Sequence, residues 1–263
     1  MPRLYQMLLT ILLLGVTAYI GLCLFFFFTQ RSFIYFPRQR QNKSTEILKV
    51  DTPQTVIECS VHNLQSEHAI LYFGGNAEDV SSSLPEYSLE LSDVALYMMH
   101  YRGYGGSTGK PQEHALREDS LAVYNYIRAR HSKILFVGRS LGSSIAIGLA
   151  AQVNPAGLIL VTPFDSIQNI ARKVVPFLPI KLLMKDPYLS IQFAPHIRCP
   201  TLVLAASEDE IVPVKNMLRL VNKIPSELTT LRTIPETNHN SISATTLYWS
   251  TIRRFLESVC YTP

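Results

Sequence analysis

The stretch Lys133-Ile134-Leu135-Phe136-Val137-Gly138-Arg139-Ser140-Leu141-Gly142-Ser143-Ser144-Ile145-Ala146-Ile147-Gly148-Leu149-Ala150 decides how this chain is read. Ile134 to Val137 is apolar at every position, as expected of a strand covered on both faces. Ser143 to Ala150 is small and apolar and reads as a helix packed back on that strand. Between them Gly138-Arg139-Ser140-Leu141-Gly142 must turn the chain sharply, and the two glycines let strand and helix close on each other. A serine at such a junction stands above the sheet with its hydroxyl presented, so Ser140 is the candidate nucleophile.

The pattern G-x-S-x-G also occurs at Gly105-Gly106-Ser107-Thr108-Gly109. There a Tyr/Gly-rich stretch runs into Lys110-Pro111 with no helix following, so context favours Ser140. Outward from Ser140, short apolar runs alternate with amphipathic stretches, the signature of an α/β class chain with βαβ units and a mostly parallel sheet. Strands are expected at Val56–Val61, Ala69–Phe73, Val94–Met99, Ile134–Val137, Leu158–Val161, Thr201–Ala205 and Thr229–Ile234. Helices are expected around 79–92, 113–130, 140–153, 213–224 and 242–258. Residues 163–198, broken by Pro163, Pro176, Pro179, Pro187 and Pro195, are expected to form a short cap over the sheet's C-terminal edge.

A serine hydroxyl is a weak nucleophile at neutral pH and needs a base, itself oriented by an acid. For a serine on this kind of turn, the acid and then the base follow it in the chain. Two histidines lie downstream: His196, ahead of the strand Thr201–Ala205, and His239, in the loop Pro235-Glu236-Thr237-Asn238-His239-Asn240 after the last strand. His239 is the expected base. Asp209, in Ser207-Glu208-Asp209-Glu210, is the expected acid, with Glu208, Glu210 and Asp165 as rivals. A tetrahedral oxyanion needs two backbone N–H donors. Leu141 is expected to supply one, and the loop Gly74-Gly75-Asn76-Ala77 the other, through Asn76 or Ala77.

With 263 residues, 47% hydrophobic and 17% charged, the chain suits one large domain with a sizeable core. The net charge of +4 is not gathered into a basic face, so no nucleic-acid partner is expected. Cys23, Cys59, Cys199 and Cys260 lack metal-ligand spacing, and neither metal nor cofactor is expected. Residues 8–28 carry no charge and as a helix would reach roughly 30 Å, the thickness of a bilayer core. A cleaved signal would be shorter and end in small residues, whereas this run ends in Phe25-Phe26-Phe27-Phe28. Residues 1–30 are therefore expected to be a retained membrane anchor, and residues 31–263 the globular domain. Arg31, Arg38, Arg40 and Lys43 on one flank favour a cytoplasmic domain, while a short tail bearing Arg3 is compatible with export, so both orientations stay open.

Together these residues resemble the membrane-anchored α/β-hydrolase-domain serine hydrolases over roughly residues 31–258. The resemblance is carried by Gln30-Arg31-Ser32-Phe33-Ile34-Tyr35-Phe36-Pro37, Leu71-Tyr72-Phe73-Gly74-Gly75-Asn76-Ala77-Glu78 and Tyr101-Arg102-Gly103-Tyr104-Gly105-Gly106-Ser107-Thr108-Gly109-Lys110-Pro111. The turn at Ser140, Ser207-Glu208-Asp209 and Asn238-His239-Asn240 complete it. It implies an α/β-hydrolase fold, a Ser140–Asp209–His239 triad with Asn76 and Leu141 as oxyanion donors, and a structural role for the loop holding Ser107. It further implies hydrolysis of acyl esters or thioesters, on small-molecule or lipid-like substrates. One departure stands out: the family usually has His-Gly-Asn where this chain has Gly74-Gly75-Asn76. A monomer is expected. Two other readings stay open, a hydrolase-like membrane protein used for binding or scaffolding, and acyl transfer to an acceptor other than water.

Overall fold

A computed structural model describes residues 2–261; Met1, Thr262 and Pro263, the ends of the two expected segments, lie outside the described residues. The chain begins with a single long helix, α1 (Pro2–Ile34), exposed over residues 3–22 and partly covered from Cys23 onward. It is long and apolar enough to cross a bilayer, alone in this among the described residues. There follow β1 (Glu46–Asp51), β2 (Val56–His62), β3 (His68–Phe73), α2 (Val80–Glu90), β4 (Ala95–Met99), α3 (Glu113–Ile127), β5 (Lys133–Arg139), α4 (Leu141–Val153) and β6 (Gly157–Val161). Three short helices come next, α5 (Ile167–Val174), α6 (Ile180–Leu183) and α7 (Ser190–Phe193), before β7 (Thr201–Ala206), α8 (Val214–Val221), β8 (Thr229–Ile234) and α9 (Thr246–Cys260).

The strands form one sheet in the order β1-β2-β4-β3-β5-β6-β7-β8. β1, β2 and β4 pair antiparallel, and every pairing from β4 through β3, β5, β6 and β7 to β8 is parallel. The unbroken apolar runs are explained by two cores, one on each face. Along β3, Leu71 and Phe73 join Leu116, Val123, Ile145 and Leu149 of α3 and α4, while Ile70 and Tyr72 join Leu84, Tyr87, Trp249 and Ile252 of α2 and α9. Period-2 alternation within a wholly apolar strand thus sends side chains to two separate helix layers.

Two elements differ from expectation. β1 was not anticipated; its residues are half-exposed at the sheet's edge, so they lack the apolar run that marks the other strands. The expected helix at 242–258 is broken: Ile242–Ala244 is a 3-10 turn, and α9 starts afresh where the Thr245 hydroxyl accepts from the Tyr248 amide.

Candidate active site

Ser140 sits at the C-terminal end of β5, in the middle of the sheet, and its amide donates to Val161 O at 2.9 Å. Its backbone has φ 49° and ψ −116°, a conformation costing a non-glycine residue on the order of 1–3 kcal/mol. The neighbouring glycines are required by contact. A β-carbon on Gly138 would lie 2.5 Å from Gly142 O, and one on Gly142 would fall onto the Phe73 carbonyl at the end of β3. Strand, turn and helix can only close this tightly with both.

Ser140 Oγ lies 2.9 Å from His239 Nε2, and His239 Nδ1 lies 2.9 and 3.0 Å from the two carboxylate oxygens of Asp209. A carboxylate can only accept, so Nδ1 carries the proton and Nε2 is left to accept from the serine hydroxyl. Burial pushes the Asp209 carboxyl up, but the bond from His239 and the amides of Val212 and Ile211 outweigh it and hold the group below the usual carboxylate range. Asp209 leaves β7 and His239 leaves β8, so all three groups gather over the C-terminal edge of parallel strands, where open α/β sheets place their crevices.

The rivals are elsewhere. Asp165 is fully buried and bonded to the side chains of Asn169 and Asn216, tying α5 to α8. Glu208 is exposed, Glu210 reaches the amide of His239 rather than its ring, and His196 is exposed in the turn after α7. Ser107 is buried, donating to His100 O at 2.8 Å and accepting from the Glu58 amide at 2.9 Å. Its hydroxyl is consumed by loop structure.

Leu141 opens α4 directly beside Ser140, and Asn76 lines with Ser140, His239 and Arg139 a cleft of about 280 Å³. The Gly74-Gly75-Asn76 loop is held by Glu78. Its carboxylate accepts from the Gly75 amide, the Tyr72 hydroxyl and the Ser83 hydroxyl, each at 2.8 Å. From the other side the Tyr101 hydroxyl donates to Gly74 O at 2.8 Å and the Tyr104 hydroxyl to Asn76 O at 2.6 Å. A β-carbon on Gly74 would lie 2.6 Å from the Val80 side chain, so the departure at this position suits its surroundings.

Sequence reasoning missed Glu78 and Arg139. Arg139 stands 3.8 Å from Glu78 and donates to the carbonyls of His239 and Asn240 at 3.4 and 3.2 Å, bracing the loop that carries the histidine. The Glu78 partners all lie within six residues of it, whereas nothing local signalled Arg139. Among the described residues no group of three or more His, Cys, Asp or Glu side chains is placed to hold a metal ion.

No family model matches the chain. It is 30% identical to the α/β hydrolase domain-containing protein WAV2 of Arabidopsis thaliana, over 72% of this chain and 69% of that one. It is 33% identical to the mouse lysophosphatidylserine lipase ABHD12, over 60% of this chain and 46% of the lipase. Among solved structures, the Pyrococcus furiosus esterase Pf2001 superposes with a TM-score of 0.70 at 16% identity, covering 86% of this chain and 97% of the esterase, which speaks to the fold. The order of strands, the turn at Ser140 and the extent of the similarity to WAV2 lead to one conclusion: the chain belongs to the α/β hydrolase domain-containing proteins.

Proposed function

We propose that the protein is a membrane-tethered serine hydrolase that cleaves carboxylic esters or thioesters through an acyl-enzyme on Ser140. The observation that carries this reading is the unbroken relay from Ser140 Oγ to His239 to Asp209, each link at about 2.9 Å. In the mechanism, Ser140 Oγ attacks the acyl carbonyl while its proton passes to His239 Nε2. Asp209 keeps the imidazole in the required tautomer and stabilises the imidazolium that forms. The oxyanion is received by the amides of Leu141 and Asn76, fixed in place before reaction so that no reorganisation is needed. His239 then gives its proton to the leaving alcohol or thiol. Water, activated by the same imidazole, releases the acid and restores the hydroxyl.

The tether is α1, whose apolar length suits a bilayer core. Residues 1–30 serve as anchor and 31–263 as the hydrolase domain, with 163–198 as its cap. A lipid-like acyl substrate is favoured by the anchor and by the similarity to a lysophosphatidylserine lipase. The test is labelling with a fluorophosphonate probe. Wild-type protein should label, and Ser140→Ala should not. Labelling that persists in Ser140→Ala overturns the assignment.

A further inference from the structure

An apolar cavity of about 400 Å³ lies outside the Ser140 cleft, between the last turns of α1 and the cap. One wall is Phe26, Phe33 and Ile34 of α1; the facing wall is α5, with Val175, Ile180, Leu183 and Met184 beyond it. In α5 the apolar residues Ile167, Ile170, Ala171 and Val174 follow helical spacing along one face, and all four line the cavity. None of them is buried. Ile167 and Ile170 are half-buried against the core below, while Val174 is exposed, so the stripe is only partly covered and its remainder faces the cavity that α1 closes on the far side.

That wall is fixed. Gln30 Nε2 donates to Leu183 O at 2.9 Å, its Oε1 accepts from the Lys185 amide at 2.6 Å, and Arg31 pairs with Asp186 at 2.8 Å. Higher on α1, the Tyr19 hydroxyl donates to Phe177 O, so the cap lies along the flank of the apolar helix. In the same part of the cap Val174, Phe177 and Leu182 are 74%, 59% and 83% exposed. Large exposed apolar side chains beside a bilayer-length helix are expected where lipid covers them. Lys185, which follows Met184 of the cavity wall, rests its ammonium 3.9 Å from the ring of Phe27 on α1. The cavity and the Ser140 cleft are neighbours: Ile34 lines the first, its carbonyl accepts from Asn76 Nδ2 at 3.1 Å, and Asn76 lines the second.

We propose that this cavity is an acyl-chain site filled sideways from the bilayer. It takes the single hydrocarbon chain of a membrane amphiphile whose ester or thioester reaches Ser140. This inference rests on the hydrolase reading above and deepens it. Each methylene buried in such a site is worth about 0.8 kcal/mol, close to a four-fold gain in kcat/KM.

The test uses full-length protein in lipid nanodiscs. Wild type and Ala171→Trp, whose indole would occupy the cavity, are compared on p-nitrophenyl esters of increasing chain length, so that partitioning into lipid is common to both. The ratio of kcat/KM for dodecanoate to that for acetate should fall at least ten-fold in Ala171→Trp; an unchanged ratio overturns the proposal. Independently of catalysis and of that variant's folding, a diazirine fatty acid photolysed with Ser140→Ala protein should form adducts on residues 26–34 and 167–175. Adducts confined to other segments, or none, overturn the proposal while fluorophosphonate labelling of Ser140 still stands. Absent labelling with adducts in the cavity would defeat the hydrolase reading and leave the chain site in place.

Discussion

Replacing Glu78 by alanine isolates the group that holds the Gly74-Gly75-Asn76 loop. The carboxylate accepts three hydrogen bonds, from Gly75, Tyr72 and Ser83, and it faces Arg139. Hydrogen bonds to an ionised acceptor are worth about 1.5–3 kcal/mol each, but water entering the adjoining cleft recovers part of that, leaving a net loss of about 3 kcal/mol. For a domain of this size the loss corresponds to a drop in Tm of about 6–12 °C. The larger effect is kinetic. With Gly75 released, the Asn76 amide, the proposed second oxyanion donor, loses its support, and losing one such donor costs about 10²–10³ in kcat. Glu78→Gln should fall between, since one amide oxygen can serve Gly75 or the two hydroxyls but not both sets. The assay is kcat on p-nitrophenyl acetate, corrected for active sites, alongside a thermal melt. A Glu78→Ala protein with lowered Tm and unchanged kcat would refute the idea that Glu78 fixes the oxyanion loop.

Asp209→Asn should lower kcat by about 10⁴ with little change in KM, because the amide no longer enforces the tautomer in which His239 Nε2 accepts; steady-state kinetics on a soluble ester checks it. Ser107→Ala should leave fluorophosphonate labelling intact and cost about 1–3 kcal/mol in urea denaturation, since the Glu58 amide loses its acceptor. His100 is buried and its imidazole is pushed down to about 4 by that burial. Its unfolded form takes up a proton near pH 6.5 while the folded form does not, so its share of stability is complete above pH 6.5 and lost as pH falls toward 4. That share is about 3 kcal/mol, and the wild-type fall in urea midpoint between pH 7 and 4 should exceed that of His100→Asn; equal slopes would contradict it.

What could be read from the sequence follows from how each element earns its stability. The strands covered on both faces, such as β3 and β5, announce themselves by continuous apolar residues, and the turn at Ser140 by glycines that only close packing explains. β1 was silent because an edge strand with half-exposed residues draws its order from pairing with β2, which no local pattern records. The cap was seen only as a proline-broken stretch. Its helices are too short to nucleate on their own and exist through contacts such as Asp165 with Asn216 and Gln30 with Leu183, partners distant in sequence. The order Ser140, Asp209, His239 was legible because chain order constrains it. Glu78 acts on near neighbours, Tyr72, Gly75 and Ser83, whose loop geometry no periodic pattern records, and the Arg139 partners lie in a loop some hundred residues on.

The central claim is an acyl-enzyme on Ser140. The most direct measurement is mass spectrometry of full-length protein quenched in acid within the first turnovers of a p-nitrophenyl ester. The account predicts a mass increase equal to the acyl group, mapping to the peptide that contains Ser140 and absent in Ser140→Ala. Ester turnover with no adduct, or an adduct on another residue, would contradict it.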